Sequence, residues 1–387
     1  MQKTMGDMAK FLKQLIPVNI PERYTINSMF RNISDEEDIR NGVLAFRDFL
    51  YRFYDCLIAD NSLCDVPKKG KKKFSDETTL TVEFPFLNNI KSILINIGQH
   101  GILSEKGDSL LVNGWEKLSL KRSLNKNSTA KISVPQMIKS MRFLTECGIN
   151  FHGIDLSMKK PDISKIEAVE ITYPDYPIML TGWKTLGIAQ NELSSRKNDD
   201  ILLRCDYRAL KNEDTEVASI LKDFVYPLSA PLQELVLKLH QRYLDSGMKC
   251  NVELGMFCVH FIYLYKGKAI WRFSTSLHNG YCIILKTKNT LKYADVIEKF
   301  PEFLQEKISK GYGCDRKKGS GHGNCQKGCE GFRFSLNESL LDISQELEIW
   351  LDSELASMQK KEEWSETKIV SKIKNDAVAI NEEGMCQ

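Results

Sequence analysis

Two dipeptides, Lys266-Gly267 and Asn279-Gly280, constrain this chain more than any other feature. Each separates runs of β-branched, aromatic and aliphatic residues. A two-residue connection ending in glycine accommodates the positive φ angles that join antiparallel strands. Segments 257–265, 269–274 and 281–286 are therefore predicted to form a three-stranded meander. Such a sheet needs one face covered, and helix patterns stand on both sides of it. Ser229-Ala-Pro231 opens a helix with Leu232, Leu235, Val236, Leu239 and Tyr243 on one face, closed by Gly247 before a strand at 250–254. Downstream, helices are expected near 293–300 and 301–309, a strand at 331–336, and a last amphipathic helix carrying Leu340, Ile343, Leu347, Trp350 and Leu351.

The same plan is read upstream. Ser133-Val-Pro-Gln136 starts a helix that ends at Cys147-Gly148, followed by strands at 149–156 and 166–173 and a helix near 178–193. An alternating strand is predicted at 201–207 and another helix at 214–224. The fold class expected is α+β, with helices packed on antiparallel meanders. It is read as two α+β units, 132–227 and 228–357, after a mainly helical region 1–131. In a duplication reading, 202–208 corresponds to 331–336; two unrelated α+β pieces are the competing reading. In the first region, Ser34-Asp-Glu-Glu37 has the form of a capping box. The following stripe of Ile39, Val43, Phe46, Leu50, Phe53 and Leu57 reads as core rather than a cofactor box. A lysine-rich stretch at 67–73 and a basic run at 117–131 read as linkers, and 358–387 as a charged tail.

A chain of 387 residues has room for two or three domains at roughly 150 residues each. With 42% hydrophobic and 27% charged residues it can bury a core without disulfide staples. A net charge of +3 is too small to argue for a polyanionic partner from bulk charge, so that case must be local. No secretory signal is read at the N-terminus, and the most apolar stretch, 256–265, is far short of the roughly 20 residues a spanning helix needs. The 11 cysteines are an odd number, and eight are dispersed through the chain, many in apolar segments. That usage fits a reducing cytoplasm better than a disulfide framework.

The remaining three cysteines, with one histidine, form the one chemically distinctive cluster: Cys314, His322, Cys325 and Cys329. Three thiolates and an imidazole make a tetrahedral zinc set, and the short spacings in its second half let a tight turn place ligands on one ion. Seven neighbouring glycines permit the bends, and Lys310, Arg316, Lys317, Lys318, Lys327 and Arg333 offset the thiolate charge. Four protein ligands fill the shell, which points to a structural zinc. A flexible glycine-rich loop and a Cys325–Cys329 redox disulfide are the competing readings. Gly319-Ser-Gly-His-Gly323 lacks the strand and helix that a nucleophile elbow or phosphate cradle requires. His152 and His260 read as core histidines, His100 and His278 as turn residues, and Asp155, Asp162, Glu167 and Glu170 as solvated carboxylates. Cys147 reads as packing at least as well as a nucleophile.

Two resemblances bear on the reading. Lys292-Tyr-Ala-Asp-Val-Ile-Glu-Lys-Phe-Pro301, Lys310-Gly-Tyr-Gly-Cys314 and Tyr173-Pro-Asp-Tyr-Pro-Ile-Met-Leu-Thr-Gly182 resemble runs in a group of uncharacterised bacterial proteins, mostly from Gram-positive anaerobes. That resemblance implies no activity. The helix–meander–helix order of the C-terminal half is similar to small YdhG-like and YjbR-like α+β domains, which implies fold only.

The expectation is a non-catalytic binding or regulatory protein with a structural zinc knuckle. Nucleic acid is the first partner to test, through basic loops at 68–73, 117–131 and 316–327 and the aromatics Tyr263, Tyr265, Trp271 and Tyr281. On the competing view the lysines solubilise loops and the aromatics fill a core. The alternative is an enzyme, such as a metal-dependent hydrolase, with its site between the α+β units.

Overall fold

A computed structural model describes residues 4–59, 68–74, 77–121, 130–193, 200–255, 258–277, 279–288, 290–309 and 331–359, with only the backbone described for 68–74 and 77–83. The fold is α+β, and its N-terminal part is helical. It groups into two compact units. One comprises Met1–Ser229, Val252–Val259 and Thr275–Asn279; the other comprises Ala230–Asn251, His260–Ser274 and Gly280–Gln387.

In the first unit, α1 (Met5–Gln14) begins with a reciprocal cap in which Thr4 and Asp7 satisfy each other's backbone N–H. The start of α2 (Glu36–Ala59) differs from the expected Ser34 box. Asp35 accepts from the Asp38 N–H at 2.8 Å, while the Ser34 hydroxyl donates to the Asp38 carboxylate at 3.1 Å. A carboxylate is the stronger acceptor and moves the cap one residue along. The lysine-rich stretch is a strand rather than a loop. β1 (Lys68–Phe74) pairs antiparallel with β2 (Glu77–Glu83), Lys68 opposite Glu83 and Lys71 opposite Leu80. A paired strand spaces alternate residues by about 7 Å, which dilutes the repulsion that argued for a loop.

The next elements are α3 (Pro85–His100), β3 (Ile102–Leu103), β4 (Ser109–Asn113), α4 (Trp115–Leu118), α5 (Val134–Glu146), β5 (Asn150–His152), β6 (Ala168–Thr172), α6 (Met179–Leu193) and α7 (Val217–Val225). The sheet runs β3-β4-β6-β5, so strands on both sides of the run 117–131 share it. Leu110 opposite Ile171 and Val112 opposite Val169 form its buried face. The aromatics of α2 are core: Phe49 stacks on Trp183 of α6 at 6.3 Å, and the Trp183 indole donates to the Leu94 carbonyl at 2.8 Å. Helix α6 lies backbone to backbone with α2 and α3. A Cβ on Gly98 would meet the Gly187 Cα at 2.9 Å, and one on Gly42 would meet the Gly182 nitrogen at 2.5 Å. Only glycine permits approaches this close.

The strand expected at 201–207 is absent. Residues 201–205 form turns, followed by a 3-10 turn at Tyr207–Leu210. The Gln190 side-chain oxygen accepts from both Ile201 N (2.7 Å) and Leu202 N (3.0 Å), and Cys205 takes a positive φ of 51°. The alternation of 201–207 therefore reflects a buried irregular segment. Its proposed counterpart at 331–336 is a strand, so that correspondence does not hold at the backbone.

The C-terminal part of the chain begins with α8 (Ala230–Asp245) and continues through β7 (Lys249–Leu254), β8 (Cys258–Tyr265), β9 (Lys268–Ser276), β10 (Gly280–Leu285), α9 (Ala294–Ile297), α10 (Glu302–Ser309), β11 (Phe332–Ser335) and α11 (344–359). Its five strands run β11-β10-β9-β8-β7, the next-neighbour order expected of a meander. The β8–β9 turn has φ of 46° at Lys266 and 77° at Gly267, as its sequence requires. One face of the sheet is aromatic and closed. Tyr263 and Trp271 stack at 3.8 Å, Tyr243 of α8 meets Trp271 at 5.7 Å, and Trp350 of α11 meets Phe332 at 4.9 Å. None of the described helices is long and apolar enough to cross a membrane.

Candidate functional site

The expected zinc ligands Cys314, His322, Cys325 and Cys329 lie outside the described residues. The flanking elements are described: α10 ends at Ser309 and β11 begins at Phe332, so the Cys/His segment leads directly into an edge strand. Among the described residues, no group of three or more His, Cys, Asp and Glu side chains is arranged to hold a metal ion.

The carboxylates singled out by sequence are solvent-exposed. Asp155 and Asp162 each accept from a serine two residues on, at 2.6 Å, which holds both below the usual carboxylate range. His152 is exposed on edge strand β5, with Nε2 3.3 Å from the Thr172 hydroxyl. Of the four aromatics considered for stacking, Tyr263 and Trp271 are fully buried, while Tyr265 and Tyr281 are half-buried. The core reading holds for that central pair.

The richest chemistry in the second unit lies on the opposite face of the same sheet. Strand alternation puts His260 of β8, Arg272 and Ser274 of β9, and Cys282 and Ile284 of β10 on the face away from Phe261, Phe273 and Tyr281. Arg333 of β11 lies directly opposite Ile284, and Lys286 continues β10 with its N–H donating to the Ile270 carbonyl at 2.6 Å. Four adjacent strands thus gather Arg272, Lys286, Arg333 and His260 on one surface. All four side chains are half-buried, whereas Ser274 and Cys282 among them are only 2% exposed.

His260 Nδ1 and the Ser274 hydroxyl are 2.6 Å apart. Burial, and then the charges of Arg272 and Lys286, push the His260 pKa down to about 4. The imidazole is therefore neutral near pH 7. Burial raises the Cys282 thiol, while Arg333 and Arg272 act against that rise. The face is electropositive at both positions. The face offers guanidinium forks and an ammonium, groups able to pair with an anion. It is poorly suited to nucleophilic catalysis, because a base with a pKa near 4 is weak and the Ser274 hydroxyl is closed off. Sequence reasoning missed this surface because its residues span more than seventy positions and converge only through strand order.

A second histidine contact lies on the closed face. His240 Nδ1 is 2.8 Å from the Tyr263 hydroxyl, with both rings buried. Burial lowers the His240 pKa, so this contact is a neutral core hydrogen bond.

No protein-family model matches the chain, and neither the curated proteins nor the solved structures contain a match.

Proposed function

We propose that this chain is a binding protein for an anionic partner, with nucleic acid the partner class, and that the sheet face of Arg272, Lys286, Arg333 and His260 is the contact surface. The observation that carries this reading is the gathering of three permanent cations on three neighbouring strands whose other face is closed by aromatic packing. Phosphate contacts of this kind supply salt-dependent affinity. The antiparallel ribbon at Lys68–Phe74, with lysine at five of its seven positions, is a second basic segment of the chain consistent with such a partner.

A structural zinc held by Cys314, His322, Cys325 and Cys329 belongs to the same proposal. It would order the segment that delivers β11, and with it Arg333. The scattered free cysteines of the described residues fit a reducing compartment, and we place the protein in the cytoplasm on that ground.

The binding test is fluorescence anisotropy of the purified chain with a labelled single-stranded oligonucleotide at low salt. Saturable binding that weakens steeply with added salt is expected; no binding at low salt removes the reading. Metal analysis of wild type beside Cys325→Ala tests the zinc, with stoichiometric zinc expected only in wild type.

A further inference from the structure

The chain contains three Asn-Gly sequences, Asn41-Gly42, Asn113-Gly114 and Asn279-Gly280, and the fold holds them in three different ways. All three asparagines are exposed, so the difference lies with the glycine. Gly42 is buried inside α2, where its N–H is committed to the helix, and a Cβ there would meet the Gly182 nitrogen at 2.5 Å. Gly114 follows β4, and its N–H donates to the Glu167 carbonyl at 2.8 Å. Gly280 opens β10 at an exposed turn with φ of 60°, and a Cβ on it would meet nothing within 4 Å. Beside it, the Ser276 hydroxyl accepts from the Asn279 N–H at 3.2 Å and from its side-chain amide at 3.3 Å, the long end of the hydrogen-bonding range.

We propose that Asn279 is a site of spontaneous covalent modification, converting through a cyclic imide with Gly280 to aspartate and isoaspartate. The Gly280 nitrogen gives up its proton to solvent and attacks the Asn279 Cγ. The Cγ–Nδ2 bond breaks, and that nitrogen takes a proton from solvent and leaves as ammonia. A water then opens the five-membered ring. Opening at Cγ restores the main chain and leaves aspartate; opening at the main-chain carbonyl leaves isoaspartate. The balance is one water consumed and one ammonia released, with nothing oxidised or reduced. Glycine favours the attack because no Cβ crowds its nitrogen. At the β9–β10 turn the peptide rotates toward Cγ without displacing a packed neighbour. The same rotation at Gly42 would break into the α2–α6 contact, and at Gly114 it would first cost the bond to Glu167. Either product places a carboxylate at the turn and lowers the formal net charge by one from +3. Isoaspartate also adds a carbon to the main chain between β9 and β10.

The test incubates the full chain at mildly alkaline pH, folded in buffer and unfolded in guanidinium chloride. Peptides are then mapped by mass spectrometry with fragmentation that separates isoaspartate from aspartate. In buffer, Asn279 is expected to convert to both products while Asn41 and Asn113 stay intact. In denaturant all three are expected to convert, which shows that the fold makes the selection. Asn279→Gln is expected to lose the acidic species that ion exchange resolves in aged wild type. An Asn279 that stays intact in buffer overturns the proposal, as does conversion of Asn41 or Asn113 at the same rate in the folded chain. Aspartate without isoaspartate at 279 contradicts the imide route.

Discussion

Two regions of this molecule concentrate cations, and they treat them in opposite ways. In the first unit the segment after Asp200 buries Arg204, Asp206 and Arg208 almost completely, and each arginine faces a carboxylate. Arg208 Nε is 2.6 Å from Asp206 and its Nη1 is 2.8 Å from Asp223, while Arg204 lies 3.9 Å from Asp206. Asp200 sits 3.4 Å from Lys91 Nζ, a charge contact rather than a well-formed hydrogen bond. In the second unit the sheet face carries Arg272, Lys286 and Arg333 together with His260, whose charged form is disfavoured by burial and then by Arg272 and Lys286. The first arrangement is a structural pin. The second is the half-buried face proposed above to meet an anion.

The difference is sharpest in stability. Asp206→Ala leaves Arg204 and Arg208 buried without their shared carboxylate, and is expected to destabilise by ~3–5 kcal/mol in urea unfolding. Arg272→Gln on the sheet face is expected to change stability by less than ~1 kcal/mol. Equal effects would erase the distinction between pin and binding surface.

Acid separates the two regions by pH window. Burial opposes the charged form of Asp206, but Arg208 and Arg204 outweigh it and hold the carboxyl below its usual range. Its contribution is therefore complete above about pH 4 and is lost as pH falls through the lowered value. His260 titrates near 4 in the fold, against about 6.5 in an unfolded chain. Between those values the unfolded chain binds the extra proton, so stability is full above about pH 6.5 and declines as pH falls toward 4, by at most ~3 kcal/mol. His260→Asn is expected to flatten the unfolding midpoint across that upper window and leave the lower one intact.

The helix packing of the first unit gives a middle-sized effect. Gly98→Ala puts a methyl group against the α6 backbone and is expected to destabilise by ~1–3 kcal/mol in the same unfolding experiment. At the small end is the surface network between α8 and α11, where Arg242 pairs with Glu348 at 3.0 Å and also with Asp352. Arg242→Ala is expected to shift stability by under ~1 kcal/mol, because exposed ion pairs are screened.

Local chemistry made much of the architecture readable. Lys266-Gly267, Gly148 and Gly247 each adopt the positive φ that their positions in the sequence implied. What could not be read depended on distant partners. The alternation of 201–207 imitates a strand, but Gln190 binds its start as a turn. The glycines of α2, α3 and α6 look like helix weaknesses until the facing glycine is known. Of the site residues, His260 stands in a strand pattern that reads as core. Nothing local marks Arg272, and Arg333 stands close to the cysteines, whose charge it offsets in the sequence reading.

The most direct test of the binding claim is the salt dependence of oligonucleotide affinity for wild type and for the combined variant Arg272→Gln, Lys286→Gln, Arg333→Gln. Each lost phosphate contact on a single strand is expected to reduce the slope of log affinity against log salt by ~0.7, so the variant's slope falls by about 2 while its unfolding midpoint stays close to wild type. An unchanged slope in a folded variant would contradict the assignment of this sheet face.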